Sequence, residues 1–283
     1  MPFKDLLVHL DDTDSSRHRL AFAAALARDH AAHLTGLYVL DLVPTLAALA
    51  HTYPGRIDRL GGYAAIRDAE LEKAKKAETM FRDRLRRDAL EGEWRFVEGL
   101  PSETVALHAR YADLTVLGQI DPQDPPAGEA IRVPEQVLLT SGRPVLIIPY
   151  TARDPVLGKR VLVAWQPTRE AARALGDALP LLERAAKVTV LTINPARADQ
   201  PEPGIPAADI ALHLARHDVR VEASTIVADD IASGDVLLNA VAETGADLLV
   251  MGGYGHSRAR EFVLGGVTRQ ILQQMTVPVF AAH

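Results

Sequence analysis

Short apolar runs recur along the chain, and each is followed by polar, glycine-containing or proline-containing sequence. In the second half these runs predict strands over Arg160–Trp165, Lys187–Ile193, Val219–Val227, Asp247–Met251 and Val277–Ala281. Alanine-rich stretches between them predict helices, among them Thr168–Arg184 and Ser233–Thr244. Ser233 is expected as the N-cap of the latter, its hydroxyl accepting from an orphan amide. Alternating strand and helix predicts a parallel sheet with right-handed crossovers and helices on both faces.

The pattern occurs twice. "KDLLVHLD" (Lys4–Asp11) resembles "KRVLVAWQ" (Lys159–Gln166), "ADLTVLGQ" (Ala112–Gln119) resembles "ADLLVMGG" (Ala246–Gly253), and "RPVLIIP" (Arg143–Pro149) resembles "VPVFAAH" (Val277–His283). The order is the same in both halves, so the chain reads as two copies of one domain, 1–151 and 157–283. The join falls near Tyr150–Gly158. The first copy carries a longer middle section, Asp41 to Arg87, whose charged tail "RDAELEKAKKAETMFRDRLRR" predicts a long amphipathic helix with a solvated face.

Composition narrows the classes. The chain has 283 residues, 48% hydrophobic and 24% charged, enough for one large or two ordinary soluble domains. Cysteine is absent, which removes disulfides, thiol nucleophiles and cysteine metal sites, and suits a reducing cytoplasm. The sequence has no apolar run of spanning length, and the formal net charge of −6 argues against general binding to nucleic acid or anionic membranes. The acidic start "MPFKDLLVHLDDTDSS" lacks the pattern of a signal peptide.

The candidate chemistry lies in "LLVMGGYGHSRAREFVLGGVTRQIL" (Leu248–Leu272). Gly252, Gly253 and Gly255, then Gly265 and Gly266, interrupt a strand–loop–helix passage. Beyond the carboxyl end of a parallel strand, glycine amides and a helix N-terminus make an anion seat. A tight turn is the simpler alternative. "GYGHSR" starts like a dinucleotide fingerprint, but Arg258 stands at the third glycine and the passage follows the fourth strand of its half. "GHSRA" resembles a nucleophile elbow around Ser257, yet only Glu261 and His283 remain downstream for a triad.

The full spacing, Gly252-x-x-Gly255 followed by nine residues and Gly265, resembles the universal stress protein family and its ATP-binding motif. The strand order and the repeated Pro144-Val145 and Pro278-Val279 openings agree with a tandem member. The resemblance implies two doubly wound, Rossmann-like α/β domains, each with a five-stranded parallel sheet. It implies a cytoplasmic stress-response protein that binds ATP or another adenine nucleotide, with Mg2+ as an optional counter-ion. Hydrolysis would at most be slow.

By the same resemblance, Gly252, Gly255 and Gly265 take the motif glycines, and Gly266 stands where the family has Ser or Thr. Thr268 is then the substitute hydroxyl. Gln166 replaces an Asp that contacts the adenosine, Ile193 packs the adenine, Met251 lies beside the nucleoside, and His256 reaches phosphate. In the first half Asp11 keeps the family Asp and Gly118 matches Gly252, but the loop continues "QIDPQDPPAGEAIRVPEQV". Ile131, Arg132 and Pro134 stand where Gly265, Gly266 and Thr268 stand in the second half, and Asp121, Asp124 and Glu129 add negative charge, so this site is read as degenerate. The resemblance also implies that the two last strands pair antiparallel within the chain, leaving a further homodimer to another surface.

Other candidates have plain readings. His213 and His217 are spaced like helical metal ligands but have no evident third partner. Trp165 either lines the pocket or plugs the core. Asp11-Asp12 and Asp229-Asp230 are strand-end acids without evidence of shared geometry. Against nucleotide binding stand two further classes, an interaction module without nucleotide and a Ser257-dependent hydrolase.

Overall fold

The computed structural model describes residues 2–11, 13–43, 47, 62–123, 132–194, 207–228, 230–254 and 266–283. Contacts divide the chain into two compact units, Phe3–Ser141 and Gly142–His283. Each sequence repeat contributes five strands.

In the unit Phe3–Ser141 the elements are β1 (Asp5–Leu10), α1 (Asp14–His30), β2 (His33–Leu40), α2 (Gly62–Asp88), β3 (Gly92–Glu98), α3 (Pro101–Ala109), β4 (Leu114–Gly118) and α4 (Val133–Thr140). The strands run parallel in the order β3-β2-β1-β4. Leu6, Val8, Leu34, Leu37, Leu114 and Val116 are fully buried, as expected for strands covered on both faces. The charged helix is α2. Its Phe81 packs on Trp94 of β3 with ring centroids 5.6 Å apart, while Glu78–Arg82 and Arg84–Asp88 pairs line its wetter side at 2.7 and 2.6 Å. Gly36 of β2 makes room for this packing, since a Cβ there would lie 2.8 Å from the Phe81 ring.

In the unit Gly142–His283 the elements are β5 (Val145–Ile148), β6 (Arg160–Ala164), α5 (Arg169–Leu182), β7 (Lys187–Ile193), α6 (Ala207–Ala215), β8 (Val221–Ile226), α7 (Ser233–Thr244), β9 (Leu248–Gly252), α8 (Gly266–Gln274) and β10 (Val279–Ala282). The order is β5-β10-β9-β6-β7-β8, parallel except for β5 on β10. β5 is antiparallel to β10, with Val279, Phe280 and Ala281 opposite Ile147, Leu146 and Val145. β5 belongs by sequence to the first repeat, and this register is why its contacts group it with the second.

The two repeats agree in small details. The Asp113 carboxylate accepts from the amides of Lys4 and Asp5 at 2.7 and 3.1 Å, and Asp247 accepts from those of Lys159 and Arg160 at 3.1 and 3.3 Å. In each unit the aspartate that opens one central strand thereby fixes the start of the other. One local expectation is corrected. Ser233 does not cap α7: the cap is Ala232, without a side-chain bond, and Ser233 is the first helical residue. The true side-chain cap is Thr168, whose Oγ1 accepts from Ala171 N at 3.2 Å at the start of α5.

Candidate ligand pocket

A cavity of about 400 Å³ opens at the carboxyl ends of the central strands of the unit Gly142–His283. This is the crevice where open parallel sheets take ligands. Its floor is apolar, formed by Ala164, Leu191, Ile193 and Met251. One side is the start of α7, with Ser233 and Leu237; another is the start of α8, with Gly266, Val267 and Thr268. The first turn of α5 and the residues before it supply Trp165, Gln166, Thr168 and Glu170.

Gly252 sets how closely these parts meet. A Cβ on it would lie 2.5 Å from the Ala171 amide nitrogen and 2.7 Å from the Glu170 carbonyl carbon. The end of β9 therefore presses on the first turn of α5, and only a residue without a side chain permits it. Tyr254, two residues on, holds φ at 58°, a left-handed conformation that a bulky residue rarely adopts outside functional sites. Its amide donates to Thr268 Oγ1 at 3.2 Å. The Gly253 amide donates to Ala282 O at 2.8 Å, and His283 Nδ1 lies 3.0 Å from Gly253 O.

Of the residues singled out from the sequence, Gln166, Ile193, Met251, Gly252, Gly266 and Thr268 line one cavity. Gln166 is at its exposed mouth. Gly266 opens α8, and a Cβ there would meet nothing within 4 Å. Its lack of a side chain thus leaves the helix start open to the pocket without serving any packing contact. Thr268 is buried, and its hydroxyl oxygen already holds the Tyr254 amide. Gly255, His256, Ser257 and Gly265 lie outside the described residues.

Other lining residues escaped the sequence reading. Ser233 and Leu237 are brought in by the turn before α7, and Tyr254 by its unusual backbone. Glu170 is buried with its carboxylate bonded to Arg169 Nε. Burial is the largest influence and would raise its carboxyl, but the Arg169 bond, a bond from its own main chain and the Arg169 and His283 charges together hold it below the usual range. Among the described lining residues there is no lysine, arginine or histidine. An anion here would rest on main-chain amides and on the α8 N-terminus.

The corresponding crevice of the unit Phe3–Ser141 is filled by its own side chains. In the repeat, His9, Asp11, Ser16, Arg19 and Gly118 correspond to Ala164, Gln166, Ala171, Ala174 and Gly252. Arg19 Nη2 donates to Asp11 Oδ2 at 2.7 Å and to Ser16 Oγ at 2.9 Å. Its Nη1 lies 2.2 Å from where a Cβ of Gly118 would be. Thr13 donates to the other Asp11 oxygen, and its hydroxyl meets Ser15 Oγ at 2.9 Å. Burial, then the Arg19 charge, lowers His9 to about 4. Burial works to raise Asp11, but the Arg19 charge and the Thr13 bond prevail and bring it to about 2. The Arg19 guanidinium thus lies against Asp11, Ser16 and the Gly118 backbone, where the other repeat has Ala174, Gln166, Ala171 and Gly252. Arg132 is exposed just before α4, and Pro134 is buried in its first turn.

Two side candidates take structural readings. The His213 and His217 rings meet edge to face with centroids 4.9 Å apart, and no third metal-ligating side chain stands with them among the described residues. Asp11 pairs with Arg19, while Asp12 and Asp229 lie outside the described residues. No helix among the described residues is long and apolar enough to cross a membrane.

The profile of the universal stress protein family matches residues 2–149 and 158–283. No curated protein matches the chain. Among solved structures, a universal stress protein from Archaeoglobus fulgidus DSM 4304 is 18% identical with a TM-score of 0.71, covering 98% of this chain and 97% of that one. A functionally unknown protein from Pseudomonas aeruginosa PAO1 is 13% identical with a TM-score of 0.58, over 99% of this chain and 92% of that one. A universal stress protein in complex with cAMP is 22% identical with a TM-score of 0.35, over 53% of this chain and all 100% of that one. At these identities the first two likenesses speak for the fold alone.

Proposed function

The chain belongs to the universal stress protein family, in tandem form, and from that premise we propose that its second repeat binds ATP or a related adenine nucleotide. The observation that carries this reading is the cavity of about 400 Å³ at the strand ends. An apolar floor of Leu191, Ile193 and Met251 suits a flat heterocycle, and the open start of α8 at Gly266 suits phosphate. The first repeat binds no nucleotide in this manner, because the Arg19 guanidinium lies between Asp11 and the Gly118 backbone. The antiparallel register of β5 on β10 supports the partner reading, in which the last strands of the two repeats satisfy each other's edges. The role is stress adaptation in the cytoplasm, exerted through the nucleotide-bound state. Mg2+ would arrive with the phosphates, since no cluster of metal-ligating side chains stands among the described residues.

The test is Gly266→Asp. A Cβ there meets nothing within 4 Å among the described residues, and a carboxylate at a helix N-terminus favours the helix, so the fold should hold. The same carboxylate would stand at the phosphate seat. Calorimetry should show ATP binding to the wild type and at least a tenfold loss in the variant, about 1.4 kcal/mol. Equal affinity with an intact fold overturns the reading.

A further inference from the structure

Trp165 holds a polar atom that the fold leaves unused. The residue is 6% exposed and lines the cavity. Its main-chain N–H donates to Leu191 O at 2.8 Å, but its buried indole Nε1 has no hydrogen-bond partner among the described residues. Indole N–H is a donor only, and a buried one ordinarily finds an acceptor. Leaving it unmade carries the desolvation cost of a buried donor. In the first repeat the position is Leu10, fully buried and without a polar side-chain atom. Core packing alone therefore does not call for a donor here.

The neighbouring position changes in the same sense. Asp11, an acceptor-only carboxylate at its depressed pKa of about 2, corresponds to Gln166, whose carboxamide donates as well as accepts. The β6 end of the pocket thus presents donors where the first repeat presents a carboxylate. Glu170, the carboxylate lining the same cavity, bonds Arg169 and does not accept from the indole.

We propose that the Trp165 indole N–H donates a hydrogen bond to an acceptor atom of the bound ligand, an adenine ring nitrogen or the ribose 2′ oxygen, and so sets which ligand the pocket takes. This rests on the adenine-nucleotide reading. Trp165 is then a binding residue in its own right. The bond it makes is the one its indole lacks without ligand, so selectivity comes from satisfying it. A ligand with an apolar atom or a donor at that place leaves the indole unpaired and binds more weakly.

The experiment pairs Trp165→Phe with ligand analogues in calorimetry. ATP, 1-deaza-ATP, 3-deaza-ATP, 7-deaza-ATP and 2′-deoxy-ATP each lack or keep one acceptor. The wild type should bind ATP about tenfold more tightly than the variant does. For one analogue, the one missing the acceptor that the indole meets, wild type and variant should bind alike. A uniform loss across all five ligands would show that Trp165 only shapes the pocket, and equal ATP affinity in wild type and variant would remove the contact altogether; either overturns the proposal while leaving nucleotide binding in place. A wild type that binds none of the five removes the nucleotide reading and the contact together.

Discussion

The Arg19 guanidinium donates to the Asp11 carboxylate across 2.7 Å in the crevice of the first repeat, with the arginine side chain 5% exposed and the aspartate side chain 32% exposed. The second repeat has Ala174 and Gln166 at these positions and a cavity nearby. Two substitutions in a duplicated fold thus separate a crevice filled from within from one open to a ligand. A buried guanidinium is tolerable only with its partner, since removing one member of such a pair costs about 3–5 kcal/mol.

The pair should be transferable. Ala174→Arg alone places a cation beside Gly252 with Gln166 where the first repeat has Asp11, and we expect a clear loss of stability in urea unfolding. Ala174→Arg combined with Gln166→Asp should recover most of that loss and at the same time abolish ATP binding. A double variant that binds ATP as the wild type does would show that Arg19 is not what closes the first crevice.

Acid should destabilise the protein in two steps. His9 stays uncharged in the fold down to about 4, against 6.5 for the free side chain. Between those values the unfolded chain takes up a proton that the fold refuses, so stability falls as pH drops from 6.5 toward 4. The full effect is on the order of 2–3 kcal/mol. Asp11, at about 2 in the fold against 3.8, adds a second loss as pH drops below 3.8. His9→Leu should flatten the upper step, read as the urea midpoint against pH. An unchanged slope between pH 6.5 and 4 would count against the buried, neutral imidazole.

Two equivalent glycines should respond differently to alanine. At Gly252 the new Cβ would stand 2.5 Å from the main chain of α5, which cannot step aside without moving the helix. We expect a loss of about 1–3 kcal/mol and failure to bind ATP. At Gly118 the obstacle is the tip of Arg19, a flexible side chain, and the loss should be smaller. Thermal melts of both variants decide this, and a larger loss for Gly118→Ala would reverse the assignment.

The repeat, the alternation of strand and helix and half of the pocket floor were legible because they follow from short-range pattern: apolar runs, their glycine ends and their recurrence. Ile193, Met251 and Gly252 could be placed at strand ends from that pattern alone. Arg19 could not. Nothing in "SSRHRLAF" separates a buried arginine from a surface one, since its burial depends on Asp11 and on Gly118, which lies far along the chain. Ser233 read as a cap because serine before a helical run usually is one, but the chain turns one residue earlier and gives the cap to Ala232. Tyr254 was hidden for a different reason, as its positive φ is a property of a turn between two glycine-rich segments and not of tyrosine.

The place of β10 bears on how the protein is made. It is the last strand in sequence, yet it lies between two others, parallel to β9 and antiparallel to β5. Leu146 must wait for Phe280, so the pairing closes a very long loop and belongs among the slow contacts of folding. Synthesis proceeds from the N-terminus, and β5 leaves the ribosome long before its partner exists. During that interval its Val-Leu-Ile-Ile run is an uncovered, adhesive edge. Elongation rate and chaperone capture over that stretch should therefore govern the yield of native protein more than the final stability does.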